Sequence, residues 1–329
     1  MLKGYCLSTL GKSKADEMAF TDDAEALNSR MEEIREMRRI TEKADGFPLD
    51  NFIDVREGLK RIRLEGTHLE EDELFDLKRS LQTIIALTDY INRGDEDDEG
   101  NITYDYPALH DLADGVATFP RIVQRIEQVI DKFGRMRDTA SPELNRIRRE
   151  LASTEGSISR TLYSILKSAQ SDGIVEKDVT PAVRDGRLVI PVAPGLKRRI
   201  SGIVHDESAT GKTVYIEPTQ VVEANNRIRE LESDERREIV RILTEIAKVI
   251  RPFVRPMLDS YNFLAEIDFI HAKTQFSIKF RAFEPEVSDK PYIDWIQARH
   301  PLLETHLNGA IVPLDIMLTS DRHILIISG

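Results

Sequence analysis

The 329 residues carry 32% charged but only 6% aromatic side chains, a formal charge of −12, one tryptophan and one cysteine. That length allows about two or three domains, and the composition favours long solvated helices over sandwiches or barrels. Cys6 permits no internal disulfide, no apolar run approaches the ~18 residues of a membrane span, and no signal-peptide pattern opens the chain, so a cytoplasmic protein without membrane contact is expected.

Residues 21–132 read as helical. Thr21 is a candidate N-cap for a helix with Leu27, Met31, Ile34 and Met37 on one side. A second helix follows Asp54 with Val55, Leu59 and Ile62, and a third holds Leu74, Leu77, Leu81, Ile84, Ile85 and Ile91. Residues 94–101, rich in Asp and Glu, are too polar to pack and read as a mobile loop. A further amphipathic helix is expected over residues 106–133. None of this names a function.

The middle is more distinctive. Ser141-Pro142-Glu143 has the cap, first-turn proline and acid of a helix start. Leu144, Leu151, Ile158 and Ile165 follow seven apart, with Ile147, Leu162 and Ala169 at the alternate positions, which is a heptad seam. A second such helix begins near Pro218, with Val221, Ile228, Ile242 and Val249 on the same grid and Glu235 interrupting it. Twenty-eight helical residues reach roughly 40 Å. Two such helices flanking a short β-rich insert would form an antiparallel coiled-coil arm, although two helices inside a globular bundle would carry the same pattern.

The insert covers residues 179–217. Asp185-Gly186 is a hairpin dipeptide between two apolar runs, and two more strands are expected at residues 200–204 and 213–216. Residues 181–216 hold six bases against three acids, a net +3 within an acidic chain. Lys197, Arg198, Arg199 and Lys212 are therefore candidate phosphate contacts; a merely solvated turn is the alternative.

Thr210-Gly211-Lys212-Thr213 looks like the end of a phosphate-binding loop. The first glycine of that pattern falls on Asp206, however, and the residues after it read as strand rather than helix. His205-Asp206-Glu207-Ser208 is set aside as a catalytic group because neighbours on a strand point to opposite faces. His300 and His306 lack a third ligand at suitable spacing. The closing stretch Arg322-His323-Ile324-Leu325-Ile326-Ile327-Ser328-Gly329 reads as a buried parallel strand feeding a glycine-rich loop, so the chain is expected to stop inside a nucleotide-binding domain.

One family matches these residues. Val183-Arg184-Asp185-Gly186-Arg187-Leu188-Val189-Ile190-Pro191-Val192, then residues 202–218 from Gly202 to Pro218, then Val222-Glu223-Ala224-Asn225-Asn226-Arg227-Ile228-Arg229-Glu230-Leu231, resemble the MutS family and more closely the type 2 MutS subfamily of bacteria. Ala298-Arg299-His300-Pro301-Leu302-Leu303 and Val312-Pro313-Leu314-Asp315-Ile316 resemble the family's opening of its ATPase domain.

The resemblance implies a mainly α fold: a helical bundle or lever (1–135), a clamp-like coiled-coil arm with a small antiparallel β tip (136–251), returning lever helices (252–284) and the first strands of an α/β P-loop ATPase domain (285–329). It implies a dimeric bacterial DNA-associated ATPase using ATP and Mg2+, with a C-terminal nuclease module in some members and ribosome association as another role. Ile311 and Val312 would flank the adenine, unless they are simply strand-core residues, and Gly329 would open the phosphate loop. The 329 residues themselves are then non-catalytic and hold no nucleotide tightly. No phenylalanine has Glu two positions later, as the mismatch-reading wedge of relatives requires, so branched or recombination-intermediate DNA is the expected substrate. A structural coiled-coil spacer is the alternative.

Overall fold

The computed structural model describes residues 1–43, 46–287, 290, 292–306 and 311–327. In chain order the elements are α1 (Thr9–Asp16), α2 (Ala24–Lys43), α3 (Arg56–Arg61), α4 (Glu71–Ile91), β1 (Gly94–Glu96), β2 (Ile102–Tyr104), α5 (Pro107–Ala113) and α6 (Pro120–Val129). Then come α7 (Pro142–Ser171), β3 (Ala182–Arg184), β4 (Arg187–Val192), β5 (Gly202–Glu207), β6 (Val214–Pro218) and α8 (Thr219–Ile250). The chain continues through α9 (Val254–Lys279), β7 (Ile293–Ala298), α10 (Pro301–His306) and β8 (Leu314–Leu318). The fold is mostly helical, with small antiparallel sheets. Among the described residues no helix is long and apolar enough to cross a membrane.

Several expectations are corrected. The cap of α2 is Asp23, whose Oδ1 accepts from the Ala26 N–H at 3.0 Å, and Thr21 instead receives the Asp23 N–H. Residues 94–104 form a hairpin: Asp97 Oδ1 accepts from the N–H groups of Glu99 and Asn101, turning the chain so that Glu96 pairs with Ile102. The helix expected over residues 106–133 is two helices. Gly115 at φ 72° leaves the helical region, and Pro120 restarts it at the first-turn position where proline is tolerated. The closing apolar stretch is not a buried strand over its described part: residues 322–327 have no regular structure, and Ile326 is 87% exposed. An apolar run becomes a core strand only when neighbours pair with it, and among the described residues β8 pairs with β7 alone.

The chain divides into two units, residues 1–60, 76–123 and 253–329 in the first, 61–75 and 124–252 in the second. In the first unit α9 is buried nearly all round, from Val254 and Met257 to Ile270 and Thr274. Its Asp268, fully buried, accepts from the backbone N–H groups of Leu7, Ser8 and Gly11 and from the Ser8 hydroxyl. Ser8 in turn caps α1 by accepting from Leu10 and Gly11. Gly11 is required there, since a Cβ would stand 2.5 Å from the Asp268 carboxylate.

Candidate nucleic-acid interface

The second unit is built on α7 and α8. Ser141 caps α7 through the Leu144 N–H at 3.0 Å, with Pro142 at the first position, and its hydroxyl also donates to Glu238 at 2.6 Å. The Ser141–Glu238 contact at one end, with Glu150 meeting Arg227 further along, sets the helices antiparallel. The expected seam is buried at Leu144, Ile147, Ile158, Leu162, Ala169, Val221, Ile228 and Ile242, and it shifts by one residue towards the far end of each helix. Leu166 is buried where Ile165 is only partly so, and Ile250 replaces the exposed Val249. A straight helix drifts ~20° per heptad from a 3.5-residue repeat, which moves the seam by one residue over this length. Midway the seam turns polar: Arg148 meets Glu235 at 2.7 Å and Asp138 on its other side, and Arg227 meets Glu150.

Between the helices lies a four-stranded antiparallel sheet in the order β3-β4-β6-β5. Asp185 and Gly186, at φ 48° and 70°, form the turn expected of this dipeptide. One face of the sheet, with Ile190, Val192, Val214 and Ile216, packs on Ile158, Leu162, Leu166, Val221 and Ile228 of the helices. Helix pair and sheet therefore share one core.

The predicted basic residues lie on the connections of this sheet. Lys197, Arg198 and Arg199 end a 3-10 segment (Pro194–Arg199) between β4 and β5. Lys212 is on the turn between β5 and β6, at the end of the sheet where Val192 pairs with Val214. All four side chains are exposed, and none has a salt bridge to an acid among the described residues. The Lys212 turn is organised by Ser208, whose Oγ accepts from the N–H groups of Lys212 and Thr213, and it leads into strand, so it builds no phosphate loop.

The other face carries a charged array that sequence reasoning missed. Glu217, 0% exposed, accepts two hydrogen bonds from Arg187 Nη1 at 2.7 and 2.9 Å, one from Asn225 Nδ2 at 2.8 Å and one from His205 Nε2. Burial works against its ionised form, but the bonds from Asn225, Arg187 and His205 outweigh it and hold the carboxyl below the usual carboxylate range. Beside it Arg184 lies 4.1 Å over the Tyr215 ring and 3.4 Å from Asp206. His205 and Asp206, though adjacent, thus reach partners on one face of β6, that of Tyr215 and Glu217. The opposite-face argument fails here because of a β-bulge: Val204 pairs with Ile216 and Asp206 with Tyr215, leaving His205 as the inserted residue. The only available signal was Glu217 itself, an acid that closes an apolar strand and directly precedes a helix.

The remaining predicted sites are not drawn together. Ile311 is partly buried and Val312 is 87% exposed on an irregular segment before β8, which leaves Val312 unenclosed, and Gly329 lies outside the described residues. Among the described residues no cluster of three or more His, Cys, Asp or Glu could hold a metal ion.

No family model matches the chain. It is similar along its length to proteins called Endonuclease MutS2: 34% identical over 322 residues to that of Geobacillus sp. (98% of this chain, 40% of the relative), and 34% over 328 to that of Levilactobacillus brevis. The protein of that name from Alkaliphilus oremlandii is 32% identical over 329 residues. The chain spans about 40% of the length of these relatives. The likeness in sequence runs through the hairpin, the bulged strand and the helix that follows them. The chain belongs to the MutS family, in the type 2 branch those relatives represent.

Proposed function

We propose that residues 136–251 are the part of a MutS-like ATPase that touches DNA, with α7 and α8 as the coiled-coil arm of a clamp and the sheet as its tip. In this reading residues 1–135 and 252–284 form a lever, and residues 285–329 begin an ABC-type ATPase domain. The whole protein would be a homodimeric, cytoplasmic bacterial enzyme that uses ATP and Mg2+ on branched or recombination-intermediate DNA. The endonuclease name of its relatives fits such a substrate. The supporting observation is the free basic segment: Lys197, Arg198 and Arg199 stand consecutively, exposed and without an acidic partner among the described residues, in a chain of net charge −12. Cations without an acidic partner can meet phosphates and release the counterions condensed on the nucleic-acid backbone without first breaking an ion pair. No aromatic residue lies between them, so contact is through phosphates rather than stacked bases.

The test is binding of a labelled four-way DNA junction at low salt by the 329-residue chain and by its Lys197→Glu, Arg198→Glu, Arg199→Glu variant. Loss of binding with unchanged helicity is expected; equal binding would reduce the segment to a solvated turn. Competition with ribosomal RNA separates a ribosome-bound role, since preference for that RNA over the junction would move the substrate away from DNA. The chain is expected to hydrolyse no ATP, because Lys212 sits before a strand; turnover abolished by Lys212→Ala would contradict this.

A further inference from the structure

β5 is the strand on which both basic connections depend. The segment bearing Lys197, Arg198 and Arg199 enters it, and the turn bearing Lys212 leaves it. Ile200 seats the incoming segment in the core, but from Gly202 to Glu207 no side chain of β5 is buried, and Ile203 and Val204 are about half-exposed. As an edge strand it has ladder hydrogen bonds on one side only, to β6. Two side chains add to that hold. The Asp206–Arg184 pair, at 3.4 Å, is largely exposed and accordingly weak. The other is the bulge residue His205, whose Nε2 reaches a carboxylate that is itself fully buried. Glu217 accepts only, so His205 donates. The same carboxylate is held by Arg187 on β4 and Asn225 on α8, so one group ties the edge strand to the sheet interior and to the long helix. A bulge spends an unpaired residue to re-aim a side chain, and here it aims the imidazole at that carboxylate.

We propose that Glu217, through His205, is a positioning residue for the DNA contact: it fixes β5, and with it the basic residues on either side, before the phosphates arrive. The inference rests on the nucleic-acid reading above. A loosened β5 would have to be ordered at the moment of binding, at a cost in affinity.

The experiment compares His205→Ala and His205→Gln in the 329-residue chain, using the four-way junction as probe at low salt and well below the melting temperature. Glutamine keeps an N–H donor able to reach Glu217 and carries no charge. His205→Ala is expected to bind about tenfold more weakly and His205→Gln within about twofold of the original chain, consistent with an ordering cost and not a lost phosphate contact. Backbone amides of residues 202–207 should exchange faster in His205→Ala alone. A purely structural role would lower the melting temperature without changing affinity measured on the folded protein, and so would overturn the proposal. Equal weakness of both variants would also overturn it, by showing that the imidazole charge acts rather than the tie. If the triple glutamate variant binds as well as the original chain, the nucleic-acid reading fails first and takes this inference with it; if only the His205 variants are silent, the reading stands and the positioning role falls.

Discussion

The helix pair and the sheet of the second unit share one apolar core and distribute paired charge differently. Along α7 and α8 eleven Lys and Arg stand beside ten Asp and Glu. Arg146, Arg148, Arg227, Arg237, Arg241 and Lys248 are all held in ion pairs there. In the sheet two arginines are paired, Arg187 with the buried Glu217 and Arg184 with the exposed Asp206, while the connections keep four cations free of acidic partners among the described residues. Six of the eleven cations on the helices are thus taken up in ion pairs on the helices' own surface and in their mutual register. On the sheet connections charge is left available to something outside the unit. Stability and binding should therefore separate cleanly by position.

The largest effect on stability is expected from Arg187→Ala, which leaves Glu217 buried with only Asn225 and His205. Breaking a buried pair costs about 3–5 kcal/mol, read as a lower denaturant midpoint. If the loss is under about 1 kcal/mol, solvent reaches Glu217 and the array is not part of the folded frame. The same group sets a pH dependence. Its folded value lies below the ~4.3 of an unfolded glutamate, so its contribution is complete above that value and is lost as pH falls through the folded one. Glu217→Gln should flatten that acid limb; an unchanged limb would assign acid unfolding to other carboxylates.

Leu162→Ala comes next. Leu162 is fully buried in the core that both regions share, and its truncation should cost about 2–5 kcal/mol. One transition is expected, with helical and sheet signals lost together; two separate transitions would break the claim of a common core. Arg148→Ala is smaller. Its pairs with Glu235 and Asp138 are partly solvated and should contribute about 1 kcal/mol or less. The smallest stability effect is expected from Lys197→Ala, Arg198→Ala and Arg199→Ala together: an unchanged melting temperature alongside weakened junction binding. A marked drop in melting temperature would show that the segment packs.

The division between these regions was partly legible in the sequence. Ser141-Pro142-Glu143 and Asp185-Gly186 carry their own stereochemistry, and the structure bears both out as a cap and a turn. The basic connections could be located because charge composition is local. What sequence could not show is set by tertiary placement. The choice of Leu166 over Ile165 depends on accumulated helical drift. Glu217 is buried because Asn225 of α8 and Arg187 of β4 converge on it, and His205 joins them only because the register slips by one residue. Asp268 is similar, since its partners Leu7, Ser8 and Gly11 lie some 260 residues away in the chain.

The separation of binding from stability is tested most directly by the salt dependence of junction affinity. Four free cations meeting four phosphates predict a slope of log affinity against log salt of about −0.9 × 4, roughly −3.6, for the 329-residue chain. Replacing Lys197, Arg198 and Arg199 by alanine leaves Lys212 and should bring the slope to about −0.9, with the melting curve unchanged. A slope that stays near −3.6 in the variant, or one near zero in the original chain, would contradict the assignment of these cations to the phosphate backbone.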